Sequence, residues 1–225
     1  MDIEISAGPA FAFGEVTLPP GGAVRVEAGG MAMTRGDIEI KTSTQGGFMK
    51  GLKRSFGGES FFMNTFTAGP QGGEVAFAPT LAGDIVTWTL SGQTVFLQSG
   101  AYLASAMGVE VDSKWGGAKT FFSGEGLIVL KVSGQGEVLV ASYGAIESRE
   151  LQAGEQITVD TGHVVAWSEG VTYQVRKVGG WKSTILSGEG LVVDLTGPGV
   201  VYTQSRSAEA FLGWLIPKLP KQSNG

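Results

Sequence analysis

Gly58-Glu59-Ser60-Phe61-Phe62, Gly124-Glu125-Gly126-Leu127-Ile128 and Gly188-Glu189-Gly190-Leu191-Val192 are variants of one stretch, and their spacing decides the fold. The three glutamates are 66 and 64 residues apart, so the period holds to within two residues. Each copy opens a β-type run that meets a Gly-rich turn and returns as a second apolar run. This is clearest in 127–142, around Ser133-Gly134-Gln135-Gly136, and in 191–205, around Thr196-Gly197-Pro198-Gly199. A fixed period marks a repeat architecture in which each repeat is one supersecondary unit. A second landmark keeps pace with the first: Gly30, Gly100 and Gly162 precede the glutamates by 29, 25 and 27 residues. Three units are therefore expected, at about 20–79, 83–143 and 146–205, inside a single all-β domain spanning 1–225.

Composition agrees with many short strands and tight turns. Glycine supplies 37 of the 225 residues, more than twice the usual share of about 7%. It has no collagen period, and apolar β-branched runs lie between the glycines. Val24-Arg25-Val26-Glu27 and Ile38-Glu39-Ile40-Lys41 alternate as half-buried strands do. Only 207–216 reads as helix. Ser207 is placed to cap it, Glu209 suits the first turn, and Phe211, Trp214 and Leu215 share one face that is expected to dock. Pro217 stops it.

Several short motifs stand out between about residues 20 and 207: Pro20-Gly21, Gly30-Met31, Leu52-Lys53-Arg54, the stretch at 58–62, Gly100-Ala101-Tyr102-Leu103-Ala104 and Gly124-Glu125-Gly126-Leu127. Val159-Asp160-Thr161-Gly162-His163, Gly197-Pro198-Gly199 and Gln204-Ser205-Arg206-Ser207 complete the set. Together they resemble the altered-inheritance-of-mitochondria family. The resemblance implies three β-units, each like a subunit of the tryptophan RNA-binding attenuation protein, arranged in one chain as a pseudo-threefold trimer with a short C-terminal helix. It brings no activity with it, since no residue pattern here matches the tryptophan and RNA sites of the fold cousin. The family's mitochondrial members look like inner-membrane organisation factors.

The chemistry is sparse. A net charge of −5 and a pI near 5.0 speak against nucleic acid as a partner. The absence of cysteine excludes disulfides and thiolate metal sites. The acidic, alternating start Met1-Asp2-Ile3-Glu4-Ile5 and the lack of a long apolar run lead us to expect a cytoplasmic protein, peripheral to a membrane at most. His163, the only histidine, stands near Asp160, but residues three apart on a strand point to opposite faces. No catalytic residue and no cofactor are expected. Glu59, Glu125 and Glu189 read first as acceptors for neighbouring backbone amides, and only weakly as a cation site on a threefold axis.

Charge is distributed unevenly. Nine of the 16 basic residues fall in the three segments that precede the Gly-Glu stretches, where carboxylates are missing. Lys50, Lys53, Arg54, Lys119 and Lys182 are the candidate anion- or surface-binding residues, with Phe56 and Trp115 among them. The expected function is a non-enzymatic scaffold or binding module, acting at an anionic membrane surface or on a partner protein. The alternative is a small-ligand binder or enzyme with a pocket between units. A homo-oligomer is expected, because sheet edges must be paired or blunted.

Overall fold

The structure, a computed structural model, describes residues 1–43, 63–112, 127–178 and 191–220. Among the described residues it is all-β apart from one short α-helix near residue 210 and a few 3₁₀ turns. The first stretch contains β1 (Asp2–Ser6), β2 (Phe13–Leu18), β3 (Ala23–Glu27), β4 (Met31–Ser43) and β5 (Met63–Phe77). The second contains β6 (Ile85–Ser91), β7 (Val95–Gln98), β8 (Tyr102–Ala106), β9 (Val109–Asp112) and β10 (Val129–Ala141). The third contains β11 (Ile146–Leu151), β12 (Gln156–Asp160), β13 (Val164–Ser168), β14 (Thr172–Lys177), β15 (Leu191–Thr196) and β16 (Gly199–Gln204). The helix is α1 (Ala208–Leu215).

All strand pairs are antiparallel, and one set of pairings recurs along the chain. The first half of β5 takes β3 and the far end of β4, and its second half takes β2 and the start of β4. Likewise β10 takes β7 and β9 along its first half and β6 and β8 along its second. In the third stretch β15 takes β12 and β14, and β16 takes β11 and β13. β2 lies along the second half of β5 as β6 lies along that of β10, and β11 takes the same place beside β16.

The Gly-rich segments do not reverse the chain, contrary to the expectation from sequence. β10 runs straight through Ser133-Gly134-Gln135-Gly136 and exchanges one set of partners for another. Gly134 and Gly136 adopt φ of 107° and 126°, which side chains rarely tolerate, and a Cβ on Gly134 would meet the Gly108 carbonyl oxygen at 2.4 Å. Glycine inside a strand commonly marks such an irregular point rather than a reversal.

Neighbouring stretches are joined edge to edge. β3 pairs with β8 through Val24↔Ala106, Arg25↔Ser105 and Val26↔Ala104. β7 pairs with β13 through Val95↔Ser168, Phe96↔Trp167 and Leu97↔Ala166, the same register one stretch later. Among the described residues no such pairing joins the third stretch to the first. β12 pairs with β15 alone, and residues 31–35 of β4 pair with β5 alone. A closed threefold would need that third junction.

The core follows the same sharing. Val16, Leu18, Val24, Val26 and Phe66 form a first cluster that includes Leu103, Ala104 and Leu139 of the second stretch. A second cluster around Leu97, Tyr102, Leu130 and Val138 takes in Val165 and Ala166 of the third. The third, around Trp167, Val193 and Leu195, takes in Leu127 and Val129 from the second and, among the described residues, nothing from the first.

Tyr102 lies fully buried on β8, its hydroxyl 2.8 Å from the Ser105 hydroxyl. Burial, which penalises the phenolate, pushes its pKa up to about 12. A raised folded-state pKa means that the stabilisation is complete below the unfolded value near 10 and is lost as pH rises through 12. We expect stability to fall by up to about 2–3 kcal/mol across that window. In urea titrations Tyr102→Phe should be less stable at pH 7, because Ser105 loses its partner, yet show a flatter decline above pH 10. Gly83, whose carbonyl accepts from Ala12, leaves no room for a side chain: a Cβ would stand 1.8 Å from the Ser142 carbonyl oxygen. Gly83→Ala should cost about 2–3 kcal/mol, read in the same titration.

Candidate functional site

The residues singled out from sequence, Lys50, Lys53, Arg54, Lys119 and Lys182 with Glu59, Glu125 and Glu189, lie outside the described residues. The strands that flank them are described, and they correspond. Ser43 of β4 pairs with Met63 of β5, Asp112 of β9 with Lys131 of β10, and Lys177 of β14 with Leu191 of β15. Two basic residues near these strand ends, Lys41 and Arg176, have local partners. Lys41 Nζ is 3.0 Å from Glu39, and Arg176 grips Asp194 with two bonds of 2.5 and 3.1 Å. That grip, joined by a bond from Thr158 Oγ1 at 2.6 Å, holds the Asp194 carboxyl below its ordinary pKa. Among the described residues, no three His, Asp or Glu side chains come together as metal ligands do.

His163 is not on a strand. It closes a 3₁₀ turn, Thr161–His163, whose N-cap is Asp160. The Asp160 carboxylate accepts from the Gly162 amide at 2.8 Å and so serves the turn. His163 Nδ1 is 2.7 Å from the Gln204 carbonyl oxygen. A carbonyl only accepts, so Nδ1 carries a proton and donates it. The Gln204 side chain donates to the Gly162 carbonyl at 2.9 Å and accepts from the Tyr143 amide at 2.8 Å. Gly162 is required here, because a Cβ would meet Ser207 Oγ at 2.3 Å. Two of the motifs noted in the sequence, at 159–163 and 204–207, thus form one knot that fixes where α1 begins. Asp-x-Gly is a legible turn signal; the reach from Gln204 across 42 residues is not.

Open clefts of about 450 and 550 Å³ flank His163. The first lies under α1, between Tyr143, Arg206 and Phe211. The second runs along β12, between Ile157, Val159 and Arg149. Neither brings an acid, a base and a nucleophile within hydrogen-bonding reach.

The α1 helix is held by its first turn. Ser207 Oγ accepts from the Ala210 amide at 3.3 Å, and the Phe211 ring meets Tyr143 edge-on at 6.3 Å. Of the apolar face expected to dock, Leu215 is half-buried, whereas Phe211 stays 38% and Trp214 58% exposed. With Phe211, Leu212, Trp214, Leu215 and Ile216 in one short run, apolar groups surround the axis, and one contact line cannot bury them all. No helix among the described residues is long and apolar enough to cross a membrane.

A family model described as Mitochondrial biogenesis AIM24 matches residues 3–206. An uncharacterized protein of Streptococcus pyogenes serotype M6 is 32% identical over 233 residues, covering 100% of this chain and 93% of that one. The crystal structure of a Streptococcus pyogenes protein, 29% identical, superposes with a TM-score of 0.81 over 97% of this chain and 99% of the other.

The loose attachment of α1 sets a contrast between its two aromatics. Phe211→Ala should cost about 1–2 kcal/mol in urea unfolding, from the lost edge-on pair and its burial. Trp214→Ala should stay within about 0.5 kcal/mol of the parent, as surface substitutions do.

Proposed function

The chain belongs to the Mitochondrial biogenesis AIM24 family, and from that footing we propose that it is a non-enzymatic β scaffold that acts at an anionic membrane surface. It is built from three copies of one unit and works as a homo-oligomer. The observation that carries the membrane reading is the face of α1 and the turn after it. Leu212, Trp214, Ile216 and Leu219 are turned to solvent, and Lys218 Nζ lies 5.0 Å from the centre of the Trp214 ring. A tryptophan with an apolar surround and an adjacent lysine matches the headgroup layer, where the ring sits at the boundary and the ammonium meets phosphate.

The distribution of basic residues supports the same reading. Lys50, Lys53, Arg54, Lys119 and Lys182 occupy corresponding places in the sequence of the three copies, between strands that pair alike. Each basic residue close to an anionic leaflet adds about 1 kcal/mol, and the effect falls off within a Debye length. With a net charge of −5 the attraction is local, so a particular face must meet the lipid.

Sedimentation with phosphatidylcholine vesicles, with and without phosphatidylglycerol, tests this. Binding is expected to the anionic vesicles alone, stronger at low salt than at high. It should weaken in Trp214→Ser and in a Lys50/Lys53/Arg54→Ala variant that keeps the parent's melting temperature. Indifference to salt, or no binding even at low ionic strength, would turn the reading towards a partner protein.

A further inference from the structure

Three corresponding five-residue windows meet different fates. Residues 102–106 and 164–168 are strands β8 and β13, buried at their first four positions and half-buried at the last. The matching residues 31–35 of β4, Met-Ala-Met-Thr-Arg, are exposed throughout, with Met31 at 42% and Met33 at 44%. The difference lies in what stands beside them. β8 lies against β3, and β13 against β7, whereas nothing among the described residues pairs with the outer edge of 31–35.

The complementary deficit lies at the other end of the chain. β12 corresponds to β3 and β7, since all three pair with the first half of a long strand or its equivalent. β3 buries Val24 and Val26 completely, and β7 buries Leu97, but on β12 the matching Ile157 and Val159 are only half covered. Beside them runs the open cleft of about 550 Å³. At the first junction the corresponding space holds β8, whose Leu103 and Ala104 share a core with Val24 and Val26.

We infer that residues 31–35 of one molecule lie along β12 of a second copy, head to tail, and repeat the junction that the chain makes twice within itself. The inference rests on the homo-oligomer reading above and adds the surface and the register to it. Two internal junctions share one register, which carried forward gives Ile157↔Arg35, Thr158↔Thr34 and Val159↔Met33. Paired this way, the free backbone groups of both edges find partners, and Met31 and Met33 are covered. One difference weakens this junction relative to the internal ones: Arg149 of β11 stands where β2 has Val16 and β6 has Trp88. Its guanidinium keeps the cleft wettable when empty, so the junction forms and separates with concentration. Because the two surfaces differ, the contact is heterologous, and assembly proceeds until a ring closes.

The chain has no cysteine, so introduced ones report cleanly. Met33→Cys and Val159→Cys are made separately, one of them tagged, and oxidised alone and mixed. The inference expects a disulfide between the two variants in the mixture and none in either alone. The double variant should give a ladder of linked chains on a non-reducing gel; an internal loop within one chain, or no link in the mixture, would overturn it. Mass in solution supplies the second arm. Met33→Glu, at an exposed position, should keep the parent's melting temperature and fall to single-chain mass, and adding Val159→Lys should restore the larger mass. A multi-chain mass that Met33→Glu leaves unchanged would sink the edge assignment while the homo-oligomer reading stands. A parent of single-chain mass at every concentration would end both.

Discussion

A strand edge carries a row of backbone N–H and C=O groups, and leaving it bare inside a protein is costly. This molecule meets that constraint by having each stretch complete the one before it. β8 covers the edge of β3, β13 covers the edge of β7, and the cores run together across both seams. The seams differ chemically while keeping one register. At the first, Arg25 reaches across to the carbonyl oxygens of Val109 and Met107; at the second, Phe96 stacks on Trp167 with ring centres 5.9 Å apart. Backbone pairing sets the geometry, and side chains adapt to it.

The long strands make this possible. β5 and β10 each serve two sets of partners, and each carries glycine at positive φ near where the partners change, Gly72 in β5 and Gly134 and Gly136 in β10. The density of glycine in this chain is therefore a property of its long strands as much as of its loops.

At the C-terminal end the same economy of contacts appears in another form. The turn around His163, the side chain of Gln204 and the cap at Ser207 fix where α1 starts, and beyond Phe211 little holds it to the sheet. A helix anchored at one end presents its apolar residues outward. That suits a surface-binding role better than a packing one, since burial at home would leave nothing to offer a lipid interface.

The sequence by itself determined that the chain is built mostly of β-strands and closes on one short capped helix. Alternation in Val24-Arg25-Val26, the recurring Gly-Glu stretches and the cap at Ser207 are local signals, written in residues a few positions apart. Whether Ser133-Gly134-Gln135-Gly136 reverses a strand or lies within it was not legible, because glycine permits both and the choice belongs to partners on β6, β7, β8 and β9. His163 misled for a related reason: the spacing from Asp160 reads as strand, and the 3₁₀ turn is held by Gln204 far along the chain. The exposure of Met31 and Met33 was hidden most completely. Met31-Ala32-Met33 is as apolar as Tyr102-Leu103-Ala104, and only the tertiary structure decides that a neighbouring strand covers one and not the other. Periodicity reports which way a side chain faces; what lies beyond that face depends on segments of chain the local pattern cannot see.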